Sequence, residues 1–302
     1  MWNERSTVSH VECNVDSEEA KIRGEKEMGV KDLMSIIRSK CPSALKKGAP
    51  FAPINRVWVD TPLIVVASCK IAESEGHDPF LLVEQSLRKT SNQILALDCK
   101  EVRWIFDGRG RPEKKRTILG RSQNHQAYSK KCEKKAEERL LLLDDLSLAE
   151  SVYASFLPVR RVTIRDITNY AMQLLKTFPL SSVEVAKHDS EEHIARMMEA
   201  EDIALTNDSD AIVFGCSTIA QNFGSPNETW LELKDILEGL GMTMHQLRTL
   251  AVFLGNDFNA RVPKRGAVAA FKAVQDGKTI EQYAESEAWK AEADAAYKVF
   301  SG

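Results

Sequence analysis

Two aspartates, Asp208 and Asp210, end the apolar stretch in Ala204-Leu-Thr-Asn-Asp208-Ser-Asp210-Ala-Ile-Val-Phe-Gly215. Carboxylates also follow apolar runs at Asp60, at Asp107, at the pair Asp189 and Glu191, and at Asp257. Carboxylates offer only oxygen donors, and oxygen ligation selects hard cations such as Mg²⁺ or Mn²⁺. Gathered in one place they repel one another at neutral pH, which shifts their proton affinities and destabilises the fold unless cations share the site. Two such ions about 4 Å apart suit in-line phosphodiester attack, one activating water and the other stabilising the leaving oxygen. The residues therefore point to divalent-metal chemistry on nucleic acid.

For these residues to meet, the chain must bring the ends of distant segments together. Val57-Trp58-Val59 reads as a buried strand stopping at Asp60, and Val102 to Phe106 as a second stopping at Asp107-Gly108. A third, Val183 to Ala186, precedes Asp189; a fourth, Ile203 to Thr206, precedes Asp208, with Ala211 to Phe214 continuing as apolar chain. Helical spacing fills the intervals: a stripe at Val30, Leu33, Met34, Ile36 and Ile37, then residues 62–72, 80–96, about 164–177 and about 190–200. Short apolar strands alternating with helices imply a mostly parallel sheet covered on both faces. In such α/β sheets ligands bind beyond the carboxyl ends of the strands. Asp60, Asp107, Asp189, Glu191, Asp208 and Asp210 all lie just past strand ends and so converge on one edge, which Asp257, after a helix-like segment, can complete.

The chain has 302 residues, 43% of them hydrophobic, enough for one large α/β domain or one domain with an appended module. No apolar run approaches the roughly 20 residues needed to cross a bilayer, and the first residues carry no apolar signal-peptide core. The six dispersed cysteines form no zinc-spaced cluster, which implies reduced thiols in an intracellular protein. A net charge of −3 argues against indiscriminate coating of nucleic acid. Yet between Arg103 and Lys135 eleven basic residues face three acidic ones, a stretch that can hold a polyanion. A solvated helix face accounts for the same run when it is taken alone. Residues 1–27 are polar and aperiodic, which reads as a flexible extension.

Each carboxylate also has an ordinary reading. Asp107-Gly108 is a turn signal and Asp60-Thr-Pro62 a strand exit. Asp189 can be an N-cap with Glu192 as its capping-box partner, and Asp208 and Asp210 can be loop residues. His188 and His193 share no helix face well enough to ligate together, so solvent exposure is expected. Glu192 is the alternative to Glu191, which is preferred because it lies two residues from Asp189.

Met28-Gly-Val-Lys-Asp-Leu, Val59-Asp60-Thr, Ile105-Phe-Asp107-Gly108, Asp189-Ser-Glu191, Thr206-Asn-Asp208-Ser-Asp210 with Phe214-Gly215, and Leu254-Gly-Asn-Asp257-Phe stand in order along the chain. That ordered set resembles the motifs of the flap endonuclease/XPG superfamily of structure-specific 5′ nucleases, over residues 28 to about 275. The Asp-Thr after the first strand and the Asp-x-Glu third motif look most similar to flap-endonuclease-like proteins of large DNA viruses, of the poxvirus type. The resemblance implies an α/β, PIN-like three-layer nuclease domain over 28–257, with a helical arch at about 113–150. A helix-two-turn-helix-like, duplex-binding region would follow over 258–302. It assigns the metal cluster to Asp60, Asp107, Asp189, Glu191, Asp208, Asp210 and Asp257, with two Mg²⁺ ions for which Mn²⁺ substitutes. It assigns phosphate contacts to Lys114 and Arg121, seven and fourteen residues beyond Asp107. Seven residues are about two helical turns, so both face one way; Lys115 or Arg116 would substitute if the helix starts elsewhere.

Further DNA contacts implied are Gly29, arch residues Lys130, Lys131, Lys134 and Lys135, and Lys264, Arg265 and Gly266 in a shortened hairpin. The chain departs from the family in placing 27 residues before Met28, which either are steered away or mean that Met28 is the true start. A monovalent-cation site in the altered hairpin is not supported, and no sliding-clamp-binding peptide is evident. Implied partners are branched or 5′-ended DNA and replication or recombination proteins, in the nucleus or, for a viral protein, at the site of viral DNA replication; no membrane is implied. Two rivals stay open: a catalytically silent DNA-docking scaffold of the same fold, and a PIN-like ribonuclease.

Overall fold

The computed structural model describes residues 29–49, 53–114, 117, 134 and 162–302. The expected extension over 1–27, Arg121, Lys130, Lys131, Lys135 and most of the expected arch lie outside the described residues.

In chain order the described elements begin with α1 (Leu33–Lys40), β1 (Leu45–Lys46), β2 (Arg56–Asp60), α2 (Thr61–Glu75), α3 (Pro79–Leu95) and β3 (Glu101–Phe106). After a 3₁₀ turn at Pro112–Lys114 come α4 (Ile164–Leu175), β4 (Ser181–Val185), α5 (Ser190–Met197), β5 (Ile203–Leu205), α6 (Asp210–Phe214), β6 (Thr218–Gln221) and β7 (Thr229–Glu232). Five helices close the chain: α7 (Leu233–Leu240), α8 (Met244–Leu254), α9 (Ala267–Gln275), α10 (Ile280–Tyr283) and α11 (Glu287–Ser301).

The strands form one seven-stranded sheet in the order β1-β7-β6-β5-β2-β3-β4. The pairs β6/β5, β5/β2, β2/β3 and β3/β4 are parallel, while β7 joins β6 and β1 joins β7 antiparallel. Side chains alternate faces along a strand, and here both faces are apolar. Val57 and Val59 of β2, with Val102 and Trp104 of β3, enter one core with Val65 of α2, Val83 and Leu87 of α3 and Ile167 of α4. Trp58 and Ile105 enter the other core, with Leu33 and Ile37 of α1, Leu250 of α8, Phe271 of α9 and Phe300 of α11. Three layers result, and the C-terminal helices share the second core with the sheet.

Two local features go beyond the sequence reading. Ala211 to Phe214, expected only to continue as apolar chain, wind into α6, a five-residue helix that Gly215 ends at φ 109°. The antiparallel margin β6–β7–β1 was not anticipated, because strands of two to four residues show too little alternation to be read.

Candidate metal centre

The strand order reverses at β2: β3 and β4 lie on one side of it and β5 on the other. The chains leaving β2 and β5 therefore part and open a crevice at the carboxyl edge, the place where α/β sheets hold ligands. Asp60 is the last residue of β2, Asp107 follows β3, Asp189 and Glu191 open α5, Asp208 follows β5, Asp210 opens α6 and Asp257 follows α8.

Hydroxyl groups tie the carboxylates together. Ser190 Oγ donates to Asp60 Oδ1 at 2.8 Å or to Asp107 Oδ1 at 2.9 Å, and the Ser190 backbone N–H donates to Asp107 Oδ1 at 3.0 Å. Thr206 Oγ1 donates to Asp60 Oδ2 at 2.7 Å and accepts the Asp208 N–H at 3.1 Å. Asp208 Oδ1 in turn accepts the Asp210 N–H at 2.9 Å, which fixes the turn into α6. Asp107 is exposed and Asp257 half-buried, whereas the other five are buried.

Burial and mutual repulsion act in the same direction on their proton affinities. Burial first, then the charge of Asp107, pushes Asp60 up to about 7 despite its two hydroxyl donors. Glu191 is held well above the usual carboxylate range by burial and by Asp60 and Asp208, and Asp210 by burial and by Asp208 and Asp257. Such groups cost stability when ionised. With a folded value near 7 and an unfolded value near 4, Asp60 binds more protons in the folded state between those limits. Its contribution to stability is therefore lost as pH rises through that window and does not return above it. In a chelating buffer, Asp60→Asn is expected to stabilise the protein by about 1–3 kcal/mol at pH 8 and to change little at pH 4. Thermal melts at the two pH values check this, and a less stable variant at pH 8 would contradict it.

Positive charge enters from one segment. Lys114 Nζ lies 2.8 Å from Asp189 Oδ1 and 3.8 Å from Asp257 Oδ2. Burial alone would lower the ammonium, but Asp189, Glu191 and Asp210 outweigh it, so Lys114 stays protonated. Arg111 Nε lies 3.3 Å from Asp189 Oδ2, and its guanidinium also pairs with Glu192. Asp189 does occupy the N-cap position of α5, but its side chain caps nothing, and Glu192 pairs with Arg111 and Arg196 instead of closing a capping box. Glu191 is thus the member of the pair that joins the cluster. The histidines are less free than expected: His188 Nδ1 meets the Arg109 carbonyl, and half-buried His193 meets Glu184 and the edge of Trp58.

Backbone packing completes the site. Gly29, at φ +78°, lies so close that an added Cβ would stand 2.0 Å from Asp208 Oδ1 and 2.8 Å from Asp210 Oδ1. Gly108 donates its N–H to the His188 carbonyl at 2.7 Å, and a Cβ there would stand 1.9 Å from the Ala186 carbonyl oxygen. Asp107-Gly108 is therefore more than a turn: it presses the β3 exit against the β4 exit. The loop after α8 is knotted by Asn256 and Asn259, whose amides bond each other at 2.7 Å and the carbonyls of Ala251 and Val252, and this fixes the backbone around Asp257. Thr117 Oγ1 donates to the Asp257 carbonyl at 2.8 Å.

Lys264, Arg265 and Gly266 sit together at the turn into α9, apart from these contacts. Lys264 is exposed at φ 62°, Gly266 is the N-cap of α9, and Arg265 stacks on Tyr283 at 4.6 Å. Lys134, the described one of the four lysines expected to guide a strand, is exposed. Arg111, Ser190 and Thr206 were missed by sequence reasoning. Ser190 had a signal, since it stands between two candidate carboxylates and next to the helix start.

All the clustered donors are oxygens, and buried Asp210 Oδ1 and Asp189 Oδ2 have no hydrogen-bond partner. Both observations fit a hard divalent cation. Among the described residues no three acidic, cysteine or histidine side chains form a ready-made cage; Lys114 and Arg111 lie on Asp189, and Ser190 bonds Asp60. The four described cysteines are free thiols, and no described helix is long and apolar enough to cross a membrane.

Residues 182–257 match the XPG I-region family model, a span that holds five of the seven carboxylates. Flap endonuclease 1 of Neurospora crassa is 25% identical over 276 residues, covering 85% of this chain. The chain spans 66% of the length of that relative. Flap endonuclease 1 of Caenorhabditis elegans is 22% identical over 276 residues, covering 86% of this chain and 69% of its own. Among solved structures, the catalytic core of Rad2 in complex with DNA substrate superposes with a TM-score of 0.59 at 18% identity, covering 82% of this chain and 69% of that one. Flap endonuclease-1 from Methanococcus jannaschii does so at 0.52 and 17%, covering 82% and 78%. Residues 182–257 thus match the XPG I-region, and the chain as a whole is similar to flap endonucleases and shares the α/β, PIN-like fold of the Rad2 core.

Proposed function

We propose that this protein is a Mg²⁺-dependent, structure-specific 5′ nuclease that hydrolyses phosphodiester bonds of branched or 5′-ended DNA in replication, recombination or repair. The observation that carries the reading is the delivery of seven carboxylates from separate chain segments to one sheet edge, with a lysine ammonium 2.8 Å from one of them. The curated relatives are flap endonucleases, and the Rad2 core is described in complex with DNA substrate, which supports the choice of substrate.

Asp107, Asp189, Glu191 and Asp208 would hold two Mg²⁺ ions, for which Mn²⁺ substitutes, while Asp60, Asp210 and Asp257 set the charge around them. When bound, the ions supply an activated water and offset charge on the leaving oxygen. Lys114 brings a permanent positive charge to the phosphate, and Arg121 a second. Ser190 and Thr206 hold Asp60 in place through their hydroxyls, and Gly29 leaves room for the Asp208 and Asp210 carboxylates. Lys130, Lys131, Lys134 and Lys135 would guide a 5′ strand along the arch, and Lys264, Arg265 and Gly266 would grip duplex backbone. Residues 28–257 would form the nuclease domain and 258–302 the duplex-binding region. The affinity with proteins of large DNA viruses belongs to the same proposal, as does action in the nucleus or at a viral replication site.

The test is a panel of labelled 5′-flap DNA, nicked duplex, four-way junction and single-stranded RNA, each with Mg²⁺ and with chelator. Mg²⁺-dependent cleavage confined to DNA with a free 5′ end is expected. Preferential cleavage of RNA, or tight DNA binding without cleavage, would replace this reading by one of its two rivals.

A further inference from the structure

Lys114 ends the 3₁₀ turn Pro112–Lys114, and its Nζ stands 2.8 Å from Asp189 and 3.8 Å from Asp257, 5.0 Å above the Phe258 ring. Both ion-pair partners belong to the carboxylate cluster. Arg111 reaches the same Asp189 but is anchored a second time by Glu192, which also pairs with Arg196. Of the two cations, Lys114 is thus the one whose ionic contacts all lie within the carboxylate cluster. Its side chain is only 14% exposed, so its charge acts on Asp189 with little screening by water.

We infer that Lys114 is the resident counter-ion of the cluster and competes with a divalent cation for Asp189, so that cation loading releases its ammonium toward the substrate phosphate. The inference rests on the metal-dependent reading above. Two positive charges that share one carboxylate repel strongly where water is scarce. A lysine on a flexible four-carbon stem can yield, whereas a doubly tied arginine cannot easily do so. Linkage makes the effect reciprocal: cation weakens the hold of Lys114 on Asp189, and whatever weakens that hold strengthens cation binding. A DNA phosphate does so by offering the ammonium another anion, so substrate and cation favour each other through this residue. Cation loading therefore raises the availability of the lysine to phosphate.

Two measurements on the full chain test this. The first is Mn²⁺ binding by calorimetry to the wild type, Lys114→Met and Lys114→Arg. The Met variant is expected to bind Mn²⁺ roughly 5- to 100-fold more tightly, and the Arg variant to stay close to wild type. The second is acylation of Lys114 in the wild-type protein, followed by peptide mass spectrometry with and without Ca²⁺, and Ca²⁺ is expected to raise it. Equal or weaker Mn²⁺ binding by the Met variant, or acylation that Ca²⁺ leaves unchanged, overturns the competition. Should the Met variant not fold, the acylation result decides alone. A wild-type protein that binds neither Mn²⁺ nor Ca²⁺ overturns the metal-dependent function itself, a different outcome from binding that ignores Lys114.

Discussion

Asp208→Asn is expected to lower cleavage of 5′-flap DNA by roughly 10³-fold, the loss typical of removing one main electrostatic contributor from a preorganised site, while DNA binding in Ca²⁺ is largely retained. The size of the effect follows from where Asp208 stands. It is buried, it follows β5 at the switch in strand order, and its charge acts on Asp60, Glu191 and Asp210. The fold should survive, because the remaining amide oxygen can still accept the Asp210 N–H, now bonded at 2.9 Å. Lost cleavage with intact binding and an unchanged melt separates the chemical role from a structural one. Full activity in Mg²⁺ would remove Asp208 from the proposed metal centre.

The largest effect on stability is expected from Gly108→Ala, although the change is a single methyl group on an exit loop. Its Cβ would lie 1.9 Å from the Ala186 carbonyl oxygen and 2.6 Å from that of Lys187, and both obstacles are backbone. No side-chain rotation relieves that clash. The two exits must move apart, which weakens the bonds from Gly108 N–H to His188 and from Arg109 N–H to Lys187. Overpacking and two weakened hydrogen bonds cost about 2–4 kcal/mol, or about 5–10 °C in melting temperature. Because Asp107 and Ser190 flank the junction, cleavage should fall as well. A melting temperature within a degree of wild type would show that the contact is slack.

The carboxylate edge was legible in the sequence for a simple reason. Apolar runs such as Val57-Trp58-Val59 and Val102 to Phe106 end abruptly at aspartate, and both runs are buried strands with those aspartates at their ends. Of the pair Glu191 and Glu192, Glu191 lies within reach of the charges of Asp60 and Asp208, while Glu192 pairs with Arg111 and Arg196. Contacts between distant segments were not legible. Nothing in the spacing of Arg111 marks it as a partner of Asp189 seventy-eight residues later, because Lys114 is the residue that the family offset selects. The hydroxyl bridge from Ser190 to Asp60 and Asp107 depends on the pairing of β2 with β3, which periodicity does not encode. The helix α6 was legible only as apolar chain, because the four apolar residues Ala211 to Phe214 are too few to separate a buried helix from a buried strand.

Electrostatics ties these points together. A sheet edge that gathers seven carboxylates, with Asp60, Glu191 and Asp210 all resisting ionisation, is costly as a purely structural device. Lys114 and Arg111 offset part of that charge. The remainder makes sense if the protein works with divalent cations and a polyanionic substrate.

The most direct measurement is the rate at which the purified full chain cuts a 5′-labelled flap substrate in Mg²⁺ and again in excess chelator. Short labelled products in Mg²⁺ and none in chelator are the expected result. An intact substrate in Mg²⁺, or products that form equally well in chelator, would contradict a metal-dependent 5′ nuclease built on this edge.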